Sequence, residues 1–146
     1  MKISGFTFLR NTSKLYYPVI ESIKSALPIV DEFIIALGKG DEDDDTEQKI
    51  HRLNSDKIKI IHTEWDLNKF KNATEYAHQT DIAKDACSGD WLIYIQGDEL
   101  IHENDYDEIR AKCNRYLDDK LIEGFLFNYY HFYGNYNYFV LRFYIQ

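Results

Sequence analysis

Cysteine is scarce in this chain, cation excess is absent, and no long apolar run occurs. Each shortage excludes something. The only cysteines are Cys87 and Cys113. Both fall on apolar faces of expected helices, which reads as reduced core thiols in a cytosolic protein. No C-x-x-C or Cys/His spacing suggests zinc. Lys and Arg number 17 against 25 Asp and Glu, a net charge of −8. That balance argues against a nucleic-acid partner, whose phosphates demand clustered cations, but it leaves room for a nucleotide held through a metal. No stretch of about 18 apolar residues exists, so no transmembrane helix is expected. The first residues enter a strand at once, without a signal-peptide pattern. Three catalytic signatures are also missing: the Gly-x-x-x-x-Gly-Lys-Ser/Thr phosphate loop, Gly-x-Gly-x-x-Gly after the first strand, and the Gly-x-Ser-x-Gly elbow. The five histidines form no pair with metal-binding helix spacing.

What is present suits one compact domain. The chain has 146 residues, 45% of them apolar and 29% charged, enough to bury a core. Ile3 to Leu9 reads as a first strand. Arg10-Asn11-Thr12-Ser13 ends it and supplies helix-capping residues. Tyr16, Val19, Ile20, Ile23 and Leu27 recur at helical spacing until Pro28. Strands over Phe33–Leu37 and Ile58–His62 flank a short helix from Thr46 to Leu53. Ala73 to Cys87 reads as a helix with Ala73, Tyr76, Ala77, Thr80, Ala83 and Cys87 on its core face and Gly89 as its cap. Trp91 to Ile95 is apolar without alternation, the mark of a strand buried on both faces. Asn104 or Asp105 caps a last helix carrying Tyr106, Ile109, Cys113, Tyr116 and Leu117. The order βαβαβαβα implies an α/β fold with a mostly parallel sheet flanked by helices.

Two features carry chemistry. Trp91–Ile95 runs into Gln96-Gly97-Asp98-Glu99, so two carboxylates stand beyond a strand's carboxyl end, where ligands bind in open α/β sheets. Paired acids there suit a hard divalent cation shared with phosphates. On geometry alone, an ordinary polar turn fits equally. The acidic run Asp41 to Asp45 fails the calcium-loop pattern, because Thr46 stands where the sharp turn needs glycine and Arg52 where a bidentate Glu belongs. A solvated loop explains it, with one acid still able to reach a nucleotide. From Phe125 to Gln146, 11 of 22 residues are Phe or Tyr. Two aromatic strands flank Gly134-Asn135 as a hairpin. They suit a sugar-stacking or acceptor surface, or a sheet that packs against further protein.

Taken together, these segments resemble a family 2 glycosyltransferase over about residues 3 to 135, the nucleotide-sugar-binding half of a GT-A, Rossmann-like fold. The resemblance is strongest from Ala77 to Glu99, covering a helix, the Gly89-Asp90 entry to the fourth strand, and an Asp-x-Asp-like motif. Tyr129 to Gly134 resembles an aromatic segment of one bacterial subgroup. Asp98 falls on the second Asp of the motif, the usual metal ligand, while Gln96 replaces the first. The resemblance implies Mg or Mn held by Asp98 and Glu99 with the donor diphosphate. It also implies donor contacts from Arg10, Asn11, Gly38, Asp41, Gln79, Gln96 and Gly97.

The resulting expectation is a single domain over residues 1–146, with a donor-binding half to about residue 100 and an incomplete acceptor half after it. Its activity would be metal-assisted, inverting transfer of a sugar from a nucleotide-diphosphate donor to a glycan or lipid-linked acceptor. The resemblance places that work in cell-envelope polysaccharide synthesis, in the cytoplasm or at the inner membrane face. After Asp119 the only acid is Glu123, so no catalytic base is assigned, and the chain is expected to be truncated. A non-catalytic nucleotide-sugar-binding or assembly module remains the alternative, with self-association through the aromatic strands. A nucleotidyltransferase is disfavoured, because no Gly-rich basic loop follows the first strand.

Overall fold

The computed structural model describes residues 1–141, the side chains of 133, 136 and 141 excepted. The end of the expected closing strand, residues 142–146, lies outside them. Four strands build the main sheet: β1 (Ile3–Leu9), β2 (Glu32–Gly38), β3 (Ile58–Thr63) and β4 (Trp91–Tyr94). All are parallel, in the order β3-β2-β1-β4. Between them run α1 (Val19–Ala26), α2 (Thr46–His51) and α3 (Thr74–Asp85). A 3-10 turn over Glu103–Asp105 leads into α4 (Tyr106–Arg115).

The chain steps outward from β1 to β3 and then returns to the other side of β1. Right-handed crossovers therefore put α1 and α2 on one face and α3 on the opposite one. Two cores result. Ile3, Leu9, Phe33 and Ile35 pack with Val19 and Ile23 of α1, Ile50 of α2, and Ile109 and Cys113 of α4. On the other face Phe6, Ile34 and Ala36 meet Ala83 of α3. The reversal of strand order falls between β1 and β4, and crevices for ligands open at such a switch point.

At the amino-terminal edge, the Glu32 side chain is 4% exposed. It accepts hydrogen bonds from Ser4 Oγ and Lys59 Nζ, each at 2.7 Å, and from Ser88 N and Oγ at 2.8 Å. Lys2 Nζ lies 3.3 Å away and also bonds Ser88 Oγ. One carboxylate thus joins β1, β2, β3 and the turn before β4. Burial pushes its pKa up, but the Lys59 and Ser4 hydrogen bonds and those from Ser88 outweigh that and hold it well below the usual carboxylate range.

Several expectations are corrected. Helix α1 begins at Val19, because Tyr16 takes a left-handed φ of 59° and its residue is 92% exposed. In α3 the buried face is Glu75, Gln79 and Ala83, while Tyr76 and Ala77 are exposed. A polar ladder, rather than an apolar stripe, meets the sheet there. Strand β4 alternates: Ile93 is buried, whereas Leu92 and Tyr94 are open on the other face. The cause is position, since β4 lies at the sheet's edge and α3 packs over β1 and β2. Gly89 does not cap α3, which ends at Ala86. Its backbone instead passes so close to Ser4 that an added Cβ would sit 2.7 Å from Ser4 N. Asp105 makes no side-chain cap for α4; His102 Nδ1 instead accepts from Asn104 N in the preceding turn. Leu117 lies beyond α4 and is exposed.

The aromatic segment forms a separate antiparallel pair, β5 (Tyr130–Tyr133) and β6 (Asn135–Leu141). Gly134 turns the hairpin at φ 71°, a backbone that costs glycine little. Tyr130, Phe132, Tyr138 and Phe139 of the pair are exposed.

Candidate functional site at the carboxyl edge

The exits of β1 and β2 are bound to each other. Asn11 takes a left-handed φ of 54°, and its Oδ1 accepts from Asp41 N at 2.8 Å. Lys14 Nζ reaches Asp41 Oδ2 at 2.8 Å and Asp43 Oδ1 at 3.2 Å. The Lys14 hydrogen bond, then that of Asn11, lowers the pKa of Asp41. Arg10 Nε donates to Lys39 O at 3.0 Å, and its guanidinium lies 5.2 Å from the centre of the Trp65 ring. Trp65 in turn packs on Phe8 and Tyr76.

Gly38 is where that indole closes on the sheet. A Cβ there would lie 2.3 Å from Trp65 Nε1. This indole nitrogen is buried, with no hydrogen-bond partner among the described residues. Beside it opens a cleft of about 540 Å³, lined by Leu37 to Asp41, Asp44, Glu47, Gln48 and His62 to Glu64. Glu47 Oε1 sits 2.9 Å from His62 Nε2 and 3.4 Å from His51 Nε2. The His62 contact is the main cause of the lowered Glu47 pKa.

The turn after β4 forms a second group. Gln96 O accepts from Ser22 Oγ of α1 at 2.8 Å. Glu99 folds back over the turn, its Oε2 accepting from Gln96 N at 2.9 Å. Its Oε1 accepts from Tyr129 Oη at 2.5 Å. Gly97 lets the turn lie on β1, since an added Cβ would meet Leu9 Cδ2 at 3.2 Å. Asp98 is exposed and makes no hydrogen bond or ion pair among the described residues. Its charge and that of Glu99 reach Tyr94 and Tyr129, whose hydroxyl pKa values are raised, by burial first.

The structure therefore brings Arg10, Asn11 and Asp41 into one braced group, with Gly38 lining the cleft beside it. It places Gln96, Gly97, Asp98 and Glu99 on the turn across the switch point. Gln79 stands apart: it is fully buried, accepting from Thr63 Oγ1 at 2.6 Å and donating to Glu75 Oε1 at 2.7 Å. It supports Thr63, which lines the cleft. Lys14, Trp65 and Tyr129 also shape the site; sequence reasoning assigned Lys14 and Trp65 no role and read Tyr129 only as part of the aromatic segment. Trp65 carries a weak signal as an indole just past a strand end, and Tyr129 one as the start of the aromatic segment. Among the described residues, no three His, Cys, Asp or Glu side chains are grouped to hold a metal ion. No described helix is long and apolar enough to cross a membrane.

Four parallel strands in this order, with helices on both faces, make a Rossmann-like α/β fold consistent with the GT-A class. The same fold occurs in solved structures of S. aureus TarS. One matches with a TM-score of 0.58 at 16% identity, over 80% of this chain and 20% of the TarS chain. TarS 1-349 matches with a TM-score of 0.55, and its complex with UDP with 0.53. Both are 18% identical over 80% of this chain and 33% of theirs. The chain thus spans between a fifth and a third of the chains it resembles. No family model matches the sequence, and no curated protein does.

Proposed function

We propose that this chain is the donor-binding part of a sugar transferase and holds a nucleotide-diphosphate sugar at the carboxyl edge of its sheet. The observation that carries the reading is the bonded group of Asn11, Asp41, Arg10 and Lys39 after β1 and β2, with the exposed Asp98 carboxylate on the turn after β4 across the switch point. The UDP complex of a protein with the same fold supports a nucleoside diphosphate as the ligand class. In this reading, the cleft beside Gly38 takes the nucleoside. Asp41 and the Asn11 amide offer polar contacts to it, and Arg10 lies beside the indole at the mouth.

Asp98 suits a Mg or Mn ion as a single protein ligand, because the rest of the shell of such an ion is readily filled by water and substrate phosphates. When bound, the ion stabilises charge on the departing diphosphate. Gln96 is uncharged and exposed, fit to bond a ribose hydroxyl. Glu99 has the role of fixing the turn, since both its oxygens are already engaged. Gln79 acts from beneath, through Thr63. Transfer to a glycan or lipid-linked acceptor follows from the same reading, with the base outside the residues assigned here.

A second reading, binding without transfer, draws on Glu99. The acid beside Asp98 has both oxygens engaged within the protein, by Gln96 N and Tyr129 Oη. Thermal denaturation with UDP- and GDP-sugars, with and without Mn, separates these from a chain that binds no nucleotide. Metal-dependent stabilisation that disappears in Asp98→Ala supports the donor site. No shift with any nucleotide sinks it.

A further inference from the structure

A second cleft, of about 560 Å³, lies between α1, with the loop before it, and the α2 segment. It is walled by Tyr16, Tyr17, Ile20 and Lys24 on one side and by Lys49 and Arg52 of the α2 segment on the other. The two clefts share no lining residue. Helix α2 gives Glu47 and Gln48 to the first and Lys49 to the second.

Its charge runs against that of the chain. Three cations line it against one acid, Glu21, in a protein with net charge −8. Elsewhere Lys2, Lys14, Lys59, Lys84 and Lys112 each pair with a carboxylate, and Lys57 binds the carbonyls of Leu27 and Val30. The side chains of Lys24 and Arg52 make no ion pair or hydrogen bond among the described residues. Lys49 is paired with Asp45 Oδ1 at 2.9 Å and donates to Ser13 Oγ at 3.0 Å, which fixes it at the cleft wall. An unpaired guanidinium beside ammonium groups is the arrangement that binds phosphate oxygens.

The rim adds a second preference. Tyr16 holds a left-handed backbone that is strained for a bulky side chain. That backbone leaves its ring in solvent at the mouth of the cleft, next to half-exposed Tyr17. Two phenol faces beside a cationic floor fit a ring on one part of a ligand and a phosphate on the other.

We propose that this cleft is a second binding site, for a phosphate ester of a sugar, with the phosphate on Arg52, Lys24 and Lys49 and the sugar ring against Tyr16 and Tyr17. It binds independently of the donor edge.

Amide NMR of the 146-residue chain tests this directly, using glucose 1-phosphate, inorganic phosphate and glucose as probes. Glucose 1-phosphate is expected to shift Tyr17, Ile20, Lys49 and Arg52 with saturation, inorganic phosphate to shift the same amides more weakly, and glucose to shift none. The Lys24→Gln/Arg52→Gln double variant, and Arg52→Gln alone, should weaken glucose 1-phosphate at least tenfold and threefold respectively. Tyr17→Ala should weaken the ester but not inorganic phosphate. Asp98→Ala should leave all of this unchanged. Shifts confined to the Gly38–Asp41 edge, unsaturable shifts, or equal affinity in the double variant would overturn the proposal.

Discussion

The Tyr129 hydroxyl donates to Glu99 Oε1 at 2.5 Å, across 30 residues of sequence. This bond ties the entry to the aromatic hairpin to the turn that presents Asp98. Tyr129→Phe keeps the ring and deletes the donor. Such a bond to a charged acceptor contributes about 1 kcal/mol when it is partly exposed. Faster hydrogen exchange at the Gln96 amide is the expected sign, because Glu99 also holds that amide. In the wild type, burial and the Glu99 bond raise the Tyr129 pKa. Its phenol should therefore stay protonated in a UV titration through the range, about pH 10, where a free tyrosine ionises.

Asp98→Ala should leave stability within about 0.5 kcal/mol of wild type, as for exposed residues without partners. It should remove only the Mn-dependent part of nucleotide stabilisation. Glu99→Gln should show the reverse pattern: a looser turn, a Tyr129 that titrates nearer its ordinary value, and Mn dependence kept. Calorimetry with and without Mn distinguishes the two, and identical behaviour of both variants would count against the division of roles.

Glu32 is a pH-dependent element. Its folded pKa lies below its unfolded value, so its contribution is complete above about pH 4.3, the ordinary Glu value. The contribution is lost as pH falls through the folded pKa. Glu32→Gln should cost about 3 kcal/mol at neutral pH, the scale of breaking a buried charge network. The gap from wild type should narrow in strong acid. Urea unfolding at pH 7 and pH 3 measures both numbers.

Gly38→Ala forces a Cβ to within 2.3 Å of Trp65 Nε1, so the indole must leave its contact with Phe8 and Tyr76. Overpacking of this kind costs about 1–3 kcal/mol. A changed Trp emission spectrum should accompany it, with Trp91→Phe as the background that isolates Trp65. Nucleotide affinity should fall with it.

The periodic parts of the fold were legible in the sequence. Strands β1, β2 and β3 and helices α1 and α2 announce themselves by apolar runs between Asn, Pro and Gly breaks, and Gly134 marks its hairpin. Misreadings arose where tertiary placement overrides pattern. Leu92 and Tyr94 look like core, yet they face outward because of where β4 stands in the sheet. Glu75 and Gln79 look like surface, yet they are buried because Thr63 and Asp66 N supply partners across sequence. Tyr16 has helical spacing and a non-helical backbone. At the site, Gln96 to Glu99 could be placed at a strand end from the sequence alone. That Glu99 is held by Tyr129 could not, because no local pattern records a contact between the fourth strand's turn and the hairpin.

The braces among Asn11, Asp41, Lys14, Arg10 and Lys39 also affect how the edge would bind. Freezing one flexible side chain on association costs about 0.5–1.5 kcal/mol. Here the loops after β1 and β2 are immobilised against each other when the chain folds, so a nucleotide meets walls whose conformational entropy is already gone. Cutting one brace, as in Lys14→Ala, would leave the proposed ligand contacts in place and still speed ligand escape. The affinity of this edge is set partly by bonds, such as that of Lys14 to Asp41, that hold its walls to one another.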